Sequence, residues 1–187
     1  IKITSRDPAP PPLEYVKVSG GLFFDMTIHD WDMARFLANS EVEEVYATGQ
    51  VMISEEIKGI DIDTAAAILK YEDGSMGMID NSRQAVYGYY QRVEVYGSKG
   101  AAVAENDTPN NVTIYNSEAT QQDKIHYFFL DRYTQSYIDE MKAFLDCIKK
   151  DKEPPVNGQD GLKAVLVAMA AQKSLEENRP VKLSEIE

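Results

Sequence analysis

The stretch Phe23-Phe24-Asp25-Met26-Thr27-Ile28-His29-Asp30-Trp31-Asp32-Met33-Ala34 reads as an amphipathic helix set just ahead of a run of strand-like segments. That succession decides the fold class. The pattern predicts a helix over roughly residues 24–38. Ile28, Trp31 and Arg35 fall on one side of it; Asp25, His29, Asp32 and Phe36 fall on another. Asp25 and His29 are four residues apart, one above the other on a single helix face. A carboxylate there holds an imidazole and stabilises its protonated form, which suits a general acid/base. The same spacing also serves an ordinary solvated pair, which is common and worth little. A third reading adds Asp32 and ligates a divalent metal through two carboxylates and one imidazole. The cluster holds a single histidine and H-E-x-x-H is absent, so the metal reading ranks below the acid/base pair.

Ahead of the helix, residues 1–6 alternate like a strand, Asp7-Pro8-Ala9-Pro10-Pro11-Pro12 is a stiff link, and Ser19-Gly20-Gly21 is a turn. Behind it, residues 45–53, 64–71, 75–82, 91–96 and 101–104 read as strands, with a further one at 111–115. Asp73-Gly74 and Gly97-Ser98-Lys99-Gly100 are hairpin turns between them. Strands joined by short turns imply an antiparallel run rather than βαβ units. The tail is helical again. Tyr137, Met141, Phe144 and Ile148 form one stripe, and Pro154-Pro155 ends that helix. A second helix is expected over roughly 158–177, capped by Asn157, with Leu162, Leu166, Met169, Ala170 and Leu175 apolar. Pro180-Val181-Lys182-Leu183 reads as a short closing strand. The expected class is α+β: an open, largely antiparallel or mixed sheet with helices packed on one face.

At 187 residues, 43% hydrophobic and 27% charged, the chain is sized for one ordinary globular domain. A net charge of −12 argues against nucleic acid and against an anionic membrane surface. No run of about 18 apolar residues and no export signal is visible. The single cysteine, Cys147, sits at an apolar helix position and reads as a buried inert thiol; it fits a reducing cytoplasm. The chain opens in mid-strand without an initiator Met, and is read as a fragment of a longer protein.

Several chemistries have no motif here. There is no G-x-G-x-x-G, no P-loop, no G-x-S-x-G elbow and no Cys/His cluster for zinc. His126, the other histidine, reads as structural or partly exposed. The polar and aromatic run Asn81-Ser82-Arg83-Gln84-Ala85-Val86-Tyr87-Gly88-Tyr89-Tyr90 suits a polyhydroxylated ligand, and equally suits a strand connection that covers an edge.

Two blocks of residues carry a resemblance. One is Gly20-Gly21-x-x-x-Asp25-x-x-x-His29-Asp30-x-Asp32, with Arg83-x-x-x-Tyr87-Gly88-Tyr89-x-x-Arg92-Val93-Glu94-Val95-x-Gly97-x-x-Gly100. The other is Tyr137-x-x-Glu140-x-x-x-Phe144-x-x-x-Ile148, Pro154-Pro155, Gly158-x-x-Gly161-x-x-Ala164 and Ala171-x-x-Ser174. Together they resemble the C-terminal domain of the Gfo/Idh/MocA oxidoreductases, most of all the inositol-oxidising branch. The resemblance implies that residues 1–187 are one substrate-binding and oligomerisation domain, and that NAD or NADP is bound by an N-terminal Rossmann domain outside this chain. It implies oxidation of a ring hydroxyl of a cyclitol or sugar, myo-inositol to 2-keto-inositol, with hydride passing to the nicotinamide. Asp25 and His29 match the family's catalytic Asp and His; the third member, a Lys, lies outside this chain. Tyr89 matches a substrate-contacting tyrosine. Ser5-Arg6-Asp7-Pro8 stands where some relatives carry His-Arg-Asn-Pro, so Asp7 is a substrate-contact candidate at a position that departs from the pattern. Arg83 is added for its place in the polar run. A homo-oligomer, dimer or tetramer, through the open sheet face is implied, with no metal, no nucleic acid and no membrane partner. A non-catalytic binding or assembly module of the same fold, or a dehydrogenase for a different cyclic sugar, is the alternative.

Overall fold

A computed structural model describes residues 1–186. Strand β1 (Lys2–Arg6) leads through the proline link to two one-turn helices, α1 (Leu13–Val16) and α2 (Leu22–Asp25), and then to α3 (Ile28–Ala38). Strands β2 (Val42–Gln50), β3 (Thr64–Tyr71), β4 (Met76–Ser82), β5 (Tyr90–Gly97) and β6 (Gly100–Ala104) follow. A small ribbon of β7 (Thr113–Tyr115) and β8 (Thr120–Gln122) precedes α4 (Phe129–Lys150), α5 (Gly158–Glu177) and the closing β9 (Val181–Lys182).

Seven strands form one sheet in the order β6-β5-β1-β4-β3-β2-β9. The sheet is mixed. β1 enters between β5 and β4, antiparallel to the first and parallel to the second, while the remaining neighbours run antiparallel. Alternation along β3 buries Ala65, Ala67, Leu69 and Tyr71 on one face and leaves Ala66, Ile68 and Lys70 on the other. The buried face meets α3 and α5. Trp31, Val45, Leu69, Ile79, Val167, Ala168, Ala171 and Val181 form the core there. α5 turns its small residues inward: Ala164, Ala168, Ala171 and Ser174 are buried, so backbone and sheet approach closely, while Leu162 and Met169 face outward. The inward stripe is therefore rotated from the one the larger apolar residues mark.

Three sequence expectations are corrected. The helix expected over 24–38 is broken at Met26-Thr27. The Leu22 carbonyl accepts from the N–H groups of both Met26 and Thr27, and α3 starts afresh at Ile28. Buried Thr27 causes the break: its hydroxyl lies 2.9 Å from Asn81 Oδ1 and competes with continued helix. Asp25 and His29 thus stand on two successive helices. Second, Cys147 is only half-buried, its Sγ 3.6 Å from the Glu153 carbonyl. Third, α4 packs none of its stripe under the sheet. Tyr137, Met141, Phe144 and Ile148 are all exposed. No helix among the described residues is long and apolar enough to cross a membrane.

Candidate active site

The polar site lies where β1 and β4, running side by side, end together. Register places Ser5 between Asn81 on β4 and Gln91 on β5. Two residues further on, the chain leaves β1 at Asp7 and leaves β4 at Arg83, and the Arg83 N–H is held by the Asp63 carbonyl at 2.8 Å. Asp63 is itself buried. Its carboxylate accepts from the N–H groups of Met52, Ile53 and Ser54, and these bonds hold its pKa below the usual range although burial pulls it up. The loop after β2 is thereby fixed behind the site.

α2 reaches the same place through its entry turn. Gly20 and Gly21 adopt φ of 88° and 91°, the left-handed region open to glycine. A Cβ on Gly21 would meet Asp61 Oδ1 at 3.0 Å, and that carboxylate accepts from the Leu22 N–H at 3.1 Å. Asp61 thus anchors the first turn of α2, and Asp25 follows at its end.

Arg83, 5% exposed, joins two of the sequence candidates. Its Nη2 donates to Asp25 Oδ2 at 2.6 Å and its Nη1 to Asp7 Oδ2 at 3.2 Å. The Tyr15 hydroxyl donates to the other Asp25 oxygen at 2.5 Å. Both oxygens of Asp25 are therefore engaged, by Arg83 and Tyr15 rather than by the His29 ring. Burial raises the Asp7 pKa, against which the Arg83 and His29 charges act and with which Asp25 acts. The His29 charge acts on Asp7, which puts the imidazole in the same field. His29 itself is exposed at the first turn of α3.

Tyr89 lies in an aromatic group with Phe129 and Tyr133. Its N–H donates to the His126 carbonyl at 2.8 Å, and its ring sits 6.0 Å from Tyr133 and 6.5 Å from Phe129, edge-on and tilted. Burial foremost, then the charges of Tyr133, Asp7 and Asp30, push its phenol upward, so it stays protonated. The structure thus gathers Asp7, Arg83 and Asp25 into one ion-paired cluster, with the His29 charge acting on Asp7 and the Asp7 charge acting on Tyr89. Asp32 goes elsewhere, to Arg35 at 3.2 Å. Among the described residues no group of three or more His, Cys, Asp or Glu side chains is placed to hold a metal.

Sequence reasoning missed Tyr15 and Gln91, and gave Asn81 and Asp30 only as members of the polar run and of the helix motif, with no role of their own. Asp30 is buried beneath the cluster and accepts from Ser5 Oγ at 2.6 Å and Asn81 Nδ2 at 2.7 Å. Its sequence signal was its place beside His29 in the motif that carries the resemblance.

The chain matches the family model described as "Oxidoreductase family, C-terminal alpha/beta domain", of the Gfo/Idh/MocA type, over residues 1–183. It is 52% identical to a myo-inositol 2-dehydrogenase of Thermotoga maritima, with 100% of this chain and 56% of that protein aligned. The crystal structure of a probable dehydrogenase from Thermotoga maritima superposes with a TM-score of 0.97 at 52% identity, covering 100% of this chain and 56% of that one. A scyllo-inositol dehydrogenase from Lactobacillus casei, solved with bound cofactor NAD(H) and scyllo-inositol, superposes with a TM-score of 0.86 at 29% identity, covering 98% and 56%. The chain spans little more than half the length of these proteins.

Proposed function

We propose, from the premise that this chain belongs to the Gfo/Idh/MocA oxidoreductase family as its C-terminal alpha/beta domain, that it is the substrate-handling half of an NAD-dependent dehydrogenase acting on a ring hydroxyl of a cyclitol. The observation that carries this reading is the ion-paired cluster of Asp7, Arg83 and Asp25, with the His29 charge acting on Asp7. A polyol offers hydroxyl donors to carboxylates and an apolar ring face to an aromatic wall, and the site presents both.

An NAD-type cofactor supplies the hydride acceptor. The described residues show no glycine-rich helix start for its phosphates: the turn Gly97-Ser98-Lys99-Gly100 joins two antiparallel strands and opens no helix. The proteins this chain resembles are nearly twice its length, and the cofactor is assigned to a part that corresponds to their remainder.

The chain's own residues do the rest. The exposed imidazole of His29 accepts the hydroxyl proton as the C–H hydride departs from the same carbon, leaving a ketone. Arg83 and Tyr15 fix the Asp25 carboxylate as an oriented acceptor near that ring. Asp7 accepts from a second ring hydroxyl, and the Tyr89 ring bounds the sugar face. The open face of the sheet carries exposed Ile68, Met76 and Met78, and a second copy of the protein covers it. The test is NAD reduction by the full-length protein across myo-inositol, scyllo-inositol and glucose. Turnover of an inositol is expected; a protein that reduces NAD with none of them overturns the reading.

A further inference from the structure

We infer that Asp30 is a positioning residue for His29: it ties the first turn of α3 to the ends of β1 and β4, and so fixes where the imidazole stands relative to Asp7 and Arg83. The inference rests on the role given to His29 above.

The geometry carries it. Asp30 is 5% exposed and Ser5 and Asn81 are 2% exposed, so all three have left water. One Asp30 oxygen takes the Ser5 hydroxyl at 2.6 Å and the other takes the Asn81 amide at 2.7 Å. Behind them, Ser5 Oγ lies 2.7 Å from the Gln91 side-chain amide and Asn81 Oδ1 lies 2.9 Å from Thr27 Oγ1. The network therefore joins three adjacent strands to both ends of the first turn of α3. Each anchor is one or two residues from a site group: Asp30 follows His29, Ser5 precedes Asp7 by two, and Asn81 precedes Arg83 by two. Asp7 and Arg83 are the first residues beyond β1 and β4, so the anchors sit in the last strand positions that lead into them.

The choice of a carboxylate here is costly. A buried carboxylate without a cation is expensive, and an apolar residue of similar size packs such a place without that cost. Among the described residues no Lys or Arg pairs with Asp30; its side-chain partners are Ser5 and Asn81. A fully satisfied polar network instead specifies one arrangement of the elements it joins. Arg35, further along the same helix, shows the contrast. It is buried too, but it is neutralised by Glu41, Asp32 and Asp160 and lies away from the site.

The test uses the full-length protein and four variants. Asp30→Ala removes the clamp; Asp30→Asn keeps its shape and part of its bonding; Ser5→Ala removes one anchor. Ser174→Ala removes a buried hydroxyl that bridges the Ala47 N–H and the Arg179 carbonyl, away from the site. Asp30→Ala is expected to lower kcat by about 100-fold with KM within about threefold, as a misplaced reacting group does. Asp30→Asn is expected to recover most of that loss, and Ser5→Ala to lose about tenfold on the same scale. Ser174→Ala is expected to lower Tm and leave kcat unchanged. Should Asp30→Ala fail to fold, Ser5→Ala decides.

The second readout is the imidazole NMR signal of His29, identified by its loss in His29→Ala. It is expected to shift or broaden in Asp30→Ala and Ser5→Ala but not in Ser174→Ala. Variants at Asp30 and Ser5 that lower Tm yet leave kcat and the His29 signal where they were overturn the inference. A wild-type protein that oxidises no polyol overturns the proposed function instead, and the His29 signal then decides the positioning role alone.

Discussion

Arg83 and Asp30 are buried at the same end of the sheet and meet opposite electrostatic problems. Arg83 is a cation whose charge two carboxylates balance; Asp30 is an acid with hydrogen bonds and no counter-charge. Replacing Arg83 by Met leaves Asp7 and Asp25 facing each other without their cation. Such a break costs about 3–5 kcal/mol, read as a drop in the denaturation midpoint, and it should remove activity as well. Asp30 sets a pH dependence. Burial raises its pKa from 3.8 to about 6, against the pull of Ser5 and Asn81. Between those values the folded chain keeps a proton that the unfolded chain has released. Stability attributable to Asp30 therefore falls as pH rises from about 4 to about 6, by roughly 3 kcal/mol in all, and is level above that. Denaturant unfolding at several pH values in that window should show a flatter slope for Asp30→Asn than for wild type. Asp7, also raised by burial, acts with the same sign and remains in the variant.

At the scale of elements, local signals were readable and long-range ones were not. β3 and α5 stand where the sequence places them, because alternation marks the one and a capping residue marks the other. Asn157 accepts from the Gln159 N–H at 2.8 Å while Asp160 returns a bond to the Asn157 N–H at 2.8 Å. Asn157→Ala should cost about 1 kcal/mol, seen in thermal unfolding, and leave activity alone. The break between α2 and α3 was invisible because its cause, the Thr27–Asn81 contact, spans 54 residues. For the same reason the four-residue spacing of Asp25 and His29 mistook two helices for one. Asp7, Asp25, His29, Arg83 and Tyr89 were legible in the sequence as residue types suited to a polar site. Their partners were not: Arg83 comes to Asp25 from 58 residues away, and Tyr15 comes to it from a one-turn helix that no periodicity marks. The parallel pairing of β1 with β4, which brings Asp7 beside Arg83, likewise leaves no mark in either strand alone.

At the scale of the molecule, one sheet has two different faces. The face under α3 and α5 is the core and ends in the site. The other presents Ile68 and the β4 methionines to solvent, and the proposed second copy lies on it. Light scattering of the full-length protein should give a mass above that of one chain. Ile68→Glu with Met78→Glu should lower it while leaving the fold intact; a monomeric wild type would remove the sheet-face contact from the account. The central claim is that this chain supplies the base for cyclitol oxidation, and one comparison tests it most directly: the initial rate of NAD reduction with myo-inositol by the full-length protein, wild type against His29→Ala. The account predicts a readily measured wild-type rate and a fall in kcat of about 100- to 10,000-fold in the variant, the range a positioned general base contributes. A variant that turns over myo-inositol at the wild-type rate would contradict it.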